Sequence, residues 1–195
     1  MESSQLNEEK YRYLYDSIEK TRKARIQTEK RLLSWDALAR HASVYYACLT
    51  TVLSIVLFVL PADMGLSAMA LAMATVTTMC TIYASSQNYG VRALQMRYSY
   101  LAMQKLLFDM DSQEATEPKN KLEIADEVGD KYNAILHQTE NHTTSDFMLS
   151  TYPAGNLKAL IRDGSCIKLC LFRFAVYGLP IAGLAVYGFV KYMNG

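Results

Sequence analysis

Two long uncharged runs, separated by only a few residues, constrain the fold of this chain more than any other feature. The first, Ala42–Leu60, has nineteen residues. As a helix it would be roughly 28 Å long, close to the hydrocarbon thickness of a bilayer. Pro61-Ala62-Asp63 then interrupts the helix, because proline lacks a backbone N–H and clashes with the preceding turn. The second run, Leu66–Tyr83, follows at once. The pattern predicts a two-helix transmembrane hairpin.

A buried hairpin inside a soluble protein is the alternative interpretation. Asp63 is the only formally charged residue between His41 and Val91, whereas charges are frequent in the first forty residues and in 92–173. A chain of 195 residues has too little other apolar material to surround two such helices on all sides. The charge distribution therefore favours a chain that lies partly in lipid and partly in water.

A third apolar run, Phe174–Val190, is seventeen residues long and contains Pro180 and three glycines. Its length is at the short end for a membrane span. It would either cross the membrane or form a re-entrant or interfacial helix, and we favour the crossing.

Basic residues are unequally distributed around the first two spans. The connecting turn has none, and the flanking segments contain Lys20, Arg22, Lys23, Arg25, Lys30, Arg31 and Arg40 before the hairpin, then Arg92, Arg97 and Lys105 after it. Because cytoplasmic flanks carry an excess of Lys and Arg, both ends of the hairpin are predicted to face the cytoplasm. Trp35, Tyr45 and Tyr46 then lie where an aromatic belt is expected.

The segment before the hairpin is predicted to be one helix, since it has neither proline nor glycine and is rich in helix-forming residues. Leu14, Ile18, Arg25 and Leu32 follow a near-heptad stripe, which predicts contact with a partner helix on one face.

Two further helices are predicted after the hairpin, over Asn88–Met110 and Leu122–Thr139. The candidate apolar positions of the first are Leu94, Tyr98, Leu101, Leu106 and Leu107. No strand alternation appears, so the predicted fold class is all-α. The predicted organisation is a cytoplasmic N-terminal helix (1–41), the transmembrane hairpin (42–83), a cytoplasmic helical region (84–172) and a third, membrane-spanning helix (173–195).

No motif indicates a metal site or a cofactor. Cys166-x3-Cys170 has helical spacing, but further ligands at recognisable spacings are missing. No glycine-rich phosphate loop occurs. The basic residues fit membrane anchoring better than nucleic-acid binding, so no direct nucleic-acid contact is expected.

The densest polar cluster, Glu140-Asn141-His142 with Asp146, could hold a catalytic base. Helix termination explains it better, with Thr144 or Ser145 capping the next helix. No set of nucleophile, base and orienting group supports an enzyme. We therefore expect a non-enzymatic protein.

Small and mildly polar residues recur at helical spacing in both spans. They are Ser43, Ala47, Thr51 and Ser54 in the first and Ala70, Ala74, Thr78, Thr81 and Ser85 in the second. Such faces let helices pack closely in lipid, which is the favoured interpretation. The alternative is that they line a water-filled path, which requires an oligomer because one hairpin cannot enclose a pore.

The order of motifs resembles a known family. Arg22-Lys23-Ala24-Arg25-Ile26 and Glu29-Lys30-Arg31-Leu32 precede the hairpin, and Tyr132-x2-Ile135-Leu136-x3-Glu140-Asn141-His142-x3-Asp146 follows it. This arrangement is similar to the SLATT family, two-transmembrane effectors associated with nucleotide-signalling and reverse-transcriptase defence systems in bacteria. The resemblance covers about residues 8 to 150, so the third apolar run lies outside it.

The resemblance implies an effector of anti-phage abortive infection that oligomerises in the bacterial inner membrane, with its N-terminus cytoplasmic, and permeabilises or depolarises it. The implied trigger is a nucleotide signal or a partner such as a nucleotidyltransferase, a SLOG protein or a reverse transcriptase. Candidates for cytoplasmic assembly or signal reception are Arg22, Arg25, Glu140, Asn141, His142 and Asp146. A membrane-anchored adaptor and a small constitutive channel subunit remain alternatives.

Overall fold

The computed structural model describes residues 2–59, 64–116, 121–140, 143, 146–147, 150 and 165–194. The helices are α1 (Glu2–Val59), α2 (Met64–Gln87), α3 (Tyr89–Thr116), α4 (Lys121–His137) and α5 (Ser165–Asn194). No strand occurs within these ranges, which confirms the predicted all-α class. Leu60 and the predicted turn Pro61–Asp63 lie outside the described residues.

Three of the described helical stretches are long and apolar enough to cross a membrane: Gln5–Val59, Met64–Thr116 and Cys170–Met193. The first two contain the predicted hairpin spans. The third contains the predicted third run, which continues as one helix through Pro180. Asn88, with a φ of 48°, separates α2 from α3.

The chain divides into two compact units. The polar unit comprises Met1–Leu32 and Gly90–Asp163, and the apolar unit comprises Leu33–Tyr89 and Gly164–Gly195.

The polar unit contains the first half of α1, which runs antiparallel to α3 and parallel to α4. The Tyr11 hydroxyl donates to the Met110 carbonyl of α3 at 3.1 Å, and Thr21 bonds to Tyr132 of α4 at 2.7 Å. Its core contains Tyr11, Ile18, Met103, Leu106, Leu107, Met110, Ile124, Ala125 and Val128. Ile18, Arg25 and Leu32 of the predicted α1 stripe are buried.

The predicted register of α3 was wrong for Leu94, Tyr98 and Leu101, which are exposed, and right for Leu106 and Leu107. The buried face consists of Ala93, Met96, Ser99, Met103, Leu106, Leu107 and Met110. Because α3 carries apolar side chains on two opposite faces, periodicity could not select between them. Packing against α1 selects the methionine-rich face, whose flexible side chains fill the space between the helices.

The apolar unit joins α5 to α1 at a proline. Pro180 has no N–H to donate to the Val176 carbonyl one turn earlier. The Tyr46 hydroxyl donates to that carbonyl at 3.0 Å, and the Tyr45 hydroxyl donates to the next carbonyl, of Tyr177, at 3.2 Å. Tyr46 is buried in this contact, so its ring packs between helices within one chain.

Candidate functional site

A helical turn in the polar unit begins at Thr143. The Thr143 hydroxyl accepts a hydrogen bond from the Asp146 amide at 3.3 Å, and the Asp146 carboxylate accepts one from the Thr143 amide at 3.2 Å. This reciprocal pair is a capping box. The expected caps, Thr144 and Ser145, lie outside the described residues, and Thr143 performs the capping.

The Asp146 carboxylate also binds α1. It accepts hydrogen bonds from the Thr28 hydroxyl at 2.9 Å and from Arg31 Nε and Nη2 at 3.0 and 2.9 Å. The Thr143 hydroxyl donates to it at 2.8 Å. Asp146 is fully buried, and these donors satisfy its charged form. We call the contact among Thr28, Arg31, Thr143 and Asp146 the Asp146 clasp.

Glu140 binds a different helix. Arg92 of α3 pairs with it through Nε–Oε1 and Nη2–Oε2 distances of 3.0 and 2.9 Å. About a third of each side chain is exposed, so the bidentate geometry contributes more to orientation than to stability. Asn141 and His142, the other members of the predicted cluster, lie outside the described residues.

Arg25 is fully buried, yet none of its three guanidinium nitrogens has a hydrogen-bond partner among the described residues. Burial lowers the pKa of the Arg25 guanidinium, and nearby Tyr132 opposes that shift. Within the same described ranges, the buried Arg22 Nε also lacks a hydrogen-bond partner. Arg25 is therefore a costly buried cation that forms no ion pair within the part of the polar unit that the structure describes.

The arginine that binds Asp146 is Arg31, which was not among the predicted site residues. Thr28 and Arg31 are three positions apart, so they lie on one helix face. That spacing, within a basic segment already singled out, was the available signal. Nothing in the sequence indicates that the partner is an acid more than a hundred residues later.

The predicted pore or interface residues lie in the apolar unit. Ser43, Thr51, Ser54, Thr78 and Thr81 each donate to the carbonyl four residues earlier, at 2.8–3.0 Å. Their hydroxyls are therefore satisfied in lipid without another helix.

The two small-residue faces meet at one point, where the hydroxyls of Thr81 and Ser43 are 3.4 Å apart. Ser43, Ala70 and Ala74 are half-buried. The remaining members are exposed: Ala47, Thr51, Ser54, Thr78, Thr81 and Ser85. Most of this surface is thus uncovered in a single chain.

An apolar cavity of about 290 Å³ lies beside Trp35 in the same unit. The Trp35 ring is 6.5 Å from that of Tyr89 and 5.7 Å from that of Phe172, measured between ring centroids. Among the described residues, no three His, Cys, Asp or Glu side chains are grouped to hold a metal ion. The described part of the chain therefore offers helix-packing surfaces and paired charges as its candidate functional features.

Residues 7–190 match the model of the SMODS and SLOG-associating 2TM effector domain family 5. The match continues into α5 as far as residue 190, so the expected coverage of residues 8–150, with the third apolar run outside it, was too short. No curated protein and no solved structure is significantly similar to the chain.

Proposed function

Because the chain belongs to the SMODS and SLOG-associating 2TM effector domain family 5, we propose that it permeabilises the membrane in which it lies. The observation that carries this proposal is the uncovered small-residue surface of α1 and α2. One hairpin cannot enclose a path for ions, so the active form is a homo-oligomer whose hairpins cover these faces mutually. No chemical reaction is required.

Thr51, Ser54, Ala74, Thr78 and Thr81 are the proposed pore or interface residues. Their small side chains allow close approach of neighbouring helices, and the hydroxyls of the serine and the threonines offer oxygen atoms to water or ions. Rotation of a hydroxyl away from its own helix carbonyl is sufficient to present it to such a path.

We further propose that the membrane is the bacterial inner membrane, with the N-terminus and the polar unit in the cytoplasm. The excess of Lys and Arg at both ends of the hairpin supports that orientation. A trigger then acts on the polar unit. The family name supports a SMODS or SLOG partner, and a nucleotidyltransferase or reverse transcriptase would act by the same route. The Asp146 clasp and the Arg92–Glu140 pair connect different helices there, so a trigger that breaks them would loosen the unit.

The test is expression of the chain alone in a bacterium, with membrane potential followed by a voltage-sensitive dye alongside viability. We expect depolarisation before loss of viability. Combined Thr78→Leu and Thr81→Leu substitution should abolish both effects while leaving membrane insertion intact.

Thr75→Leu is the matched control, since Thr75 is also exposed on α2 and donates to its own helix carbonyl at 2.9 Å. It lies about 100° around the helix from the centre of the small-residue face. Unchanged killing by the double variant would refute the pore assignment. Sustained potential in cells that also contain the trigger would favour a membrane-anchored adaptor.

A further inference from the structure

α3 has a second apolar face, opposite the one buried against α1. Val91, Leu94, Tyr98, Leu101 and Phe108 are 57, 47, 66, 46 and 70% exposed. Lys105, also exposed, completes the row, and we call these six residues the outer seam. Soluble surfaces rarely carry a continuous line of large apolar side chains without a partner.

The outer seam has coiled-coil spacing. Its members are separated alternately by three and four residues, so Val91, Tyr98 and Lys105 occupy a positions and Leu94, Leu101 and Phe108 occupy d positions. A β-branched residue at a with leucine at d favours two strands, and a single lysine at a sets register at a cost in stability. The pattern therefore suits a second helix with the same pattern.

Membrane insertion restricts the symmetry that can relate two such helices. α3 begins at Tyr89, and α2 ends at Gln87, so the Val91 end of α3 is tied to the end of a membrane helix in every copy. Copies inserted with one orientation are related by an axis perpendicular to the membrane. Under that symmetry, α3 helices that lie along the axis run parallel, and α3 helices that lie across it run antiparallel.

We propose that the outer seam packs, parallel and in register, against the outer seam of a second copy of this chain. This inference rests on the proposed function, because the seam would be the contact between polar units in the proposed homo-oligomer. In this register Arg97 lies opposite Ala102 of the partner, and Gln104 lies opposite Asp109, so no like charges meet at the flanks. Only the paired Lys105 ammonium groups repel, which weakens the contact and keeps it reversible.

The size of the seam fits a weak, regulated dimer. Its five apolar side chains expose on the order of 500 Å² in one chain, so pairing buries roughly 1,000 Å² in total, the lower bound for a specific interface. Tethering in one membrane raises the effective concentration of the two helices. Assembly therefore depends on the membrane as well as on the seam.

Site-specific cross-linking tests the proposal in the full-length chain in native membranes, with its four cysteines replaced by alanine. Single Leu94→Cys and Leu101→Cys variants are treated with a short bismaleimide. We expect dimer yields at least tenfold above that of Asn133→Cys, an exposed control on α4.

Adding Phe108→Lys to the Leu94→Cys variant should reduce its dimer yield to the control level. Because Phe108 is exposed, that change leaves the core intact. Adding Tyr13→Lys, which changes an exposed tyrosine of α1, should leave the yield unchanged.

Yields at Leu94 and Leu101 no higher than at Asn133 would overturn the proposal. So would cross-linking confined to mixtures of Val91→Cys and Phe108→Cys chains, which requires antiparallel helices. Shielding of the seam from a water-soluble maleimide without dimer formation would also overturn it and indicate lipid contact. Full seam cross-linking in cells that contain the trigger and still keep their membrane potential would refute permeabilisation while supporting the seam contact.

Discussion

The contact between Tyr46 and the proline of α5 yields a quantitative prediction. Pro180 leaves the Val176 carbonyl without its helical donor, and the Tyr46 hydroxyl supplies one at 3.0 Å. Tyr46 and Val176 are 6 and 7% exposed, so water does not readily replace the lost bond. Tyr46→Phe removes only the hydroxyl and keeps the ring that packs between the helices.

The expected cost of Tyr46→Phe is about 1 kcal/mol, since an orphaned buried carbonyl costs about 1–3 kcal/mol and measured interhelical bonds in lipid average about 0.6. Pro180→Ala returns an N–H that can bond to the Val176 carbonyl within α5. In that background Tyr46→Phe should cost close to zero. The two substitutions should therefore be coupled by about 1 kcal/mol.

Reversible unfolding by SDS in mixed micelles measures this coupling. Trp35 is the chain's one tryptophan, and its ring contacts Phe172 of α5, so its fluorescence reports the docking of α5. Tyr192→Phe is the control, because Tyr192 is 86% exposed. An equal cost of Tyr46→Phe in both backgrounds would show that the hydroxyl does not compensate for Pro180.

Three further predictions concern the polar unit. Asp146→Asn should lower the free energy of unfolding by about 2–3 kcal/mol in chemical denaturation, because the amide cannot accept all the donors of the clasp and leaves Arg31 without its anion. Arg25→Met should instead leave the free energy of unfolding unchanged or raise it, because the guanidinium has no hydrogen bond to a described residue that it could lose. A loss as large as that of Asp146→Asn would contradict this expectation. Burial, with help from the nearby carboxylates of Glu114 and Asp111, raises the pKa of the Tyr11 hydroxyl above its usual value near 10. The stability that Tyr11 contributes is therefore complete below pH 10 and is lost as the pH rises above it. When unfolding is measured over a pH series, the free energy of unfolding should fall less at alkaline pH for Tyr11→Phe than for the parent chain.

The membrane helices were predictable from sequence because the preference of a segment for lipid or water depends on its own residues. The predicted spans, Ala42–Leu60 and Leu66–Tyr83, fall within α1 and α2 except for Leu60, which lies outside the described residues. The third run became α5 as its length and composition suggested. The buried stripe of α1 was also predictable, because only one of its faces carries apolar residues at regular spacing.

Packing decided what these local patterns left open. α3 carries large apolar side chains on two faces, and only contact with α1 selects the face that becomes part of the core. Asp146 reaches Arg31 rather than Arg22 or Arg25 because the fold places its helical turn beside Arg31, about two turns of α1 beyond Arg25. Tyr46 binds α5 because a proline 134 residues later frees a carbonyl beside it. Each of these choices depends on distances between segments remote in the chain, whereas helix formation and membrane preference depend on residues that are neighbours in it.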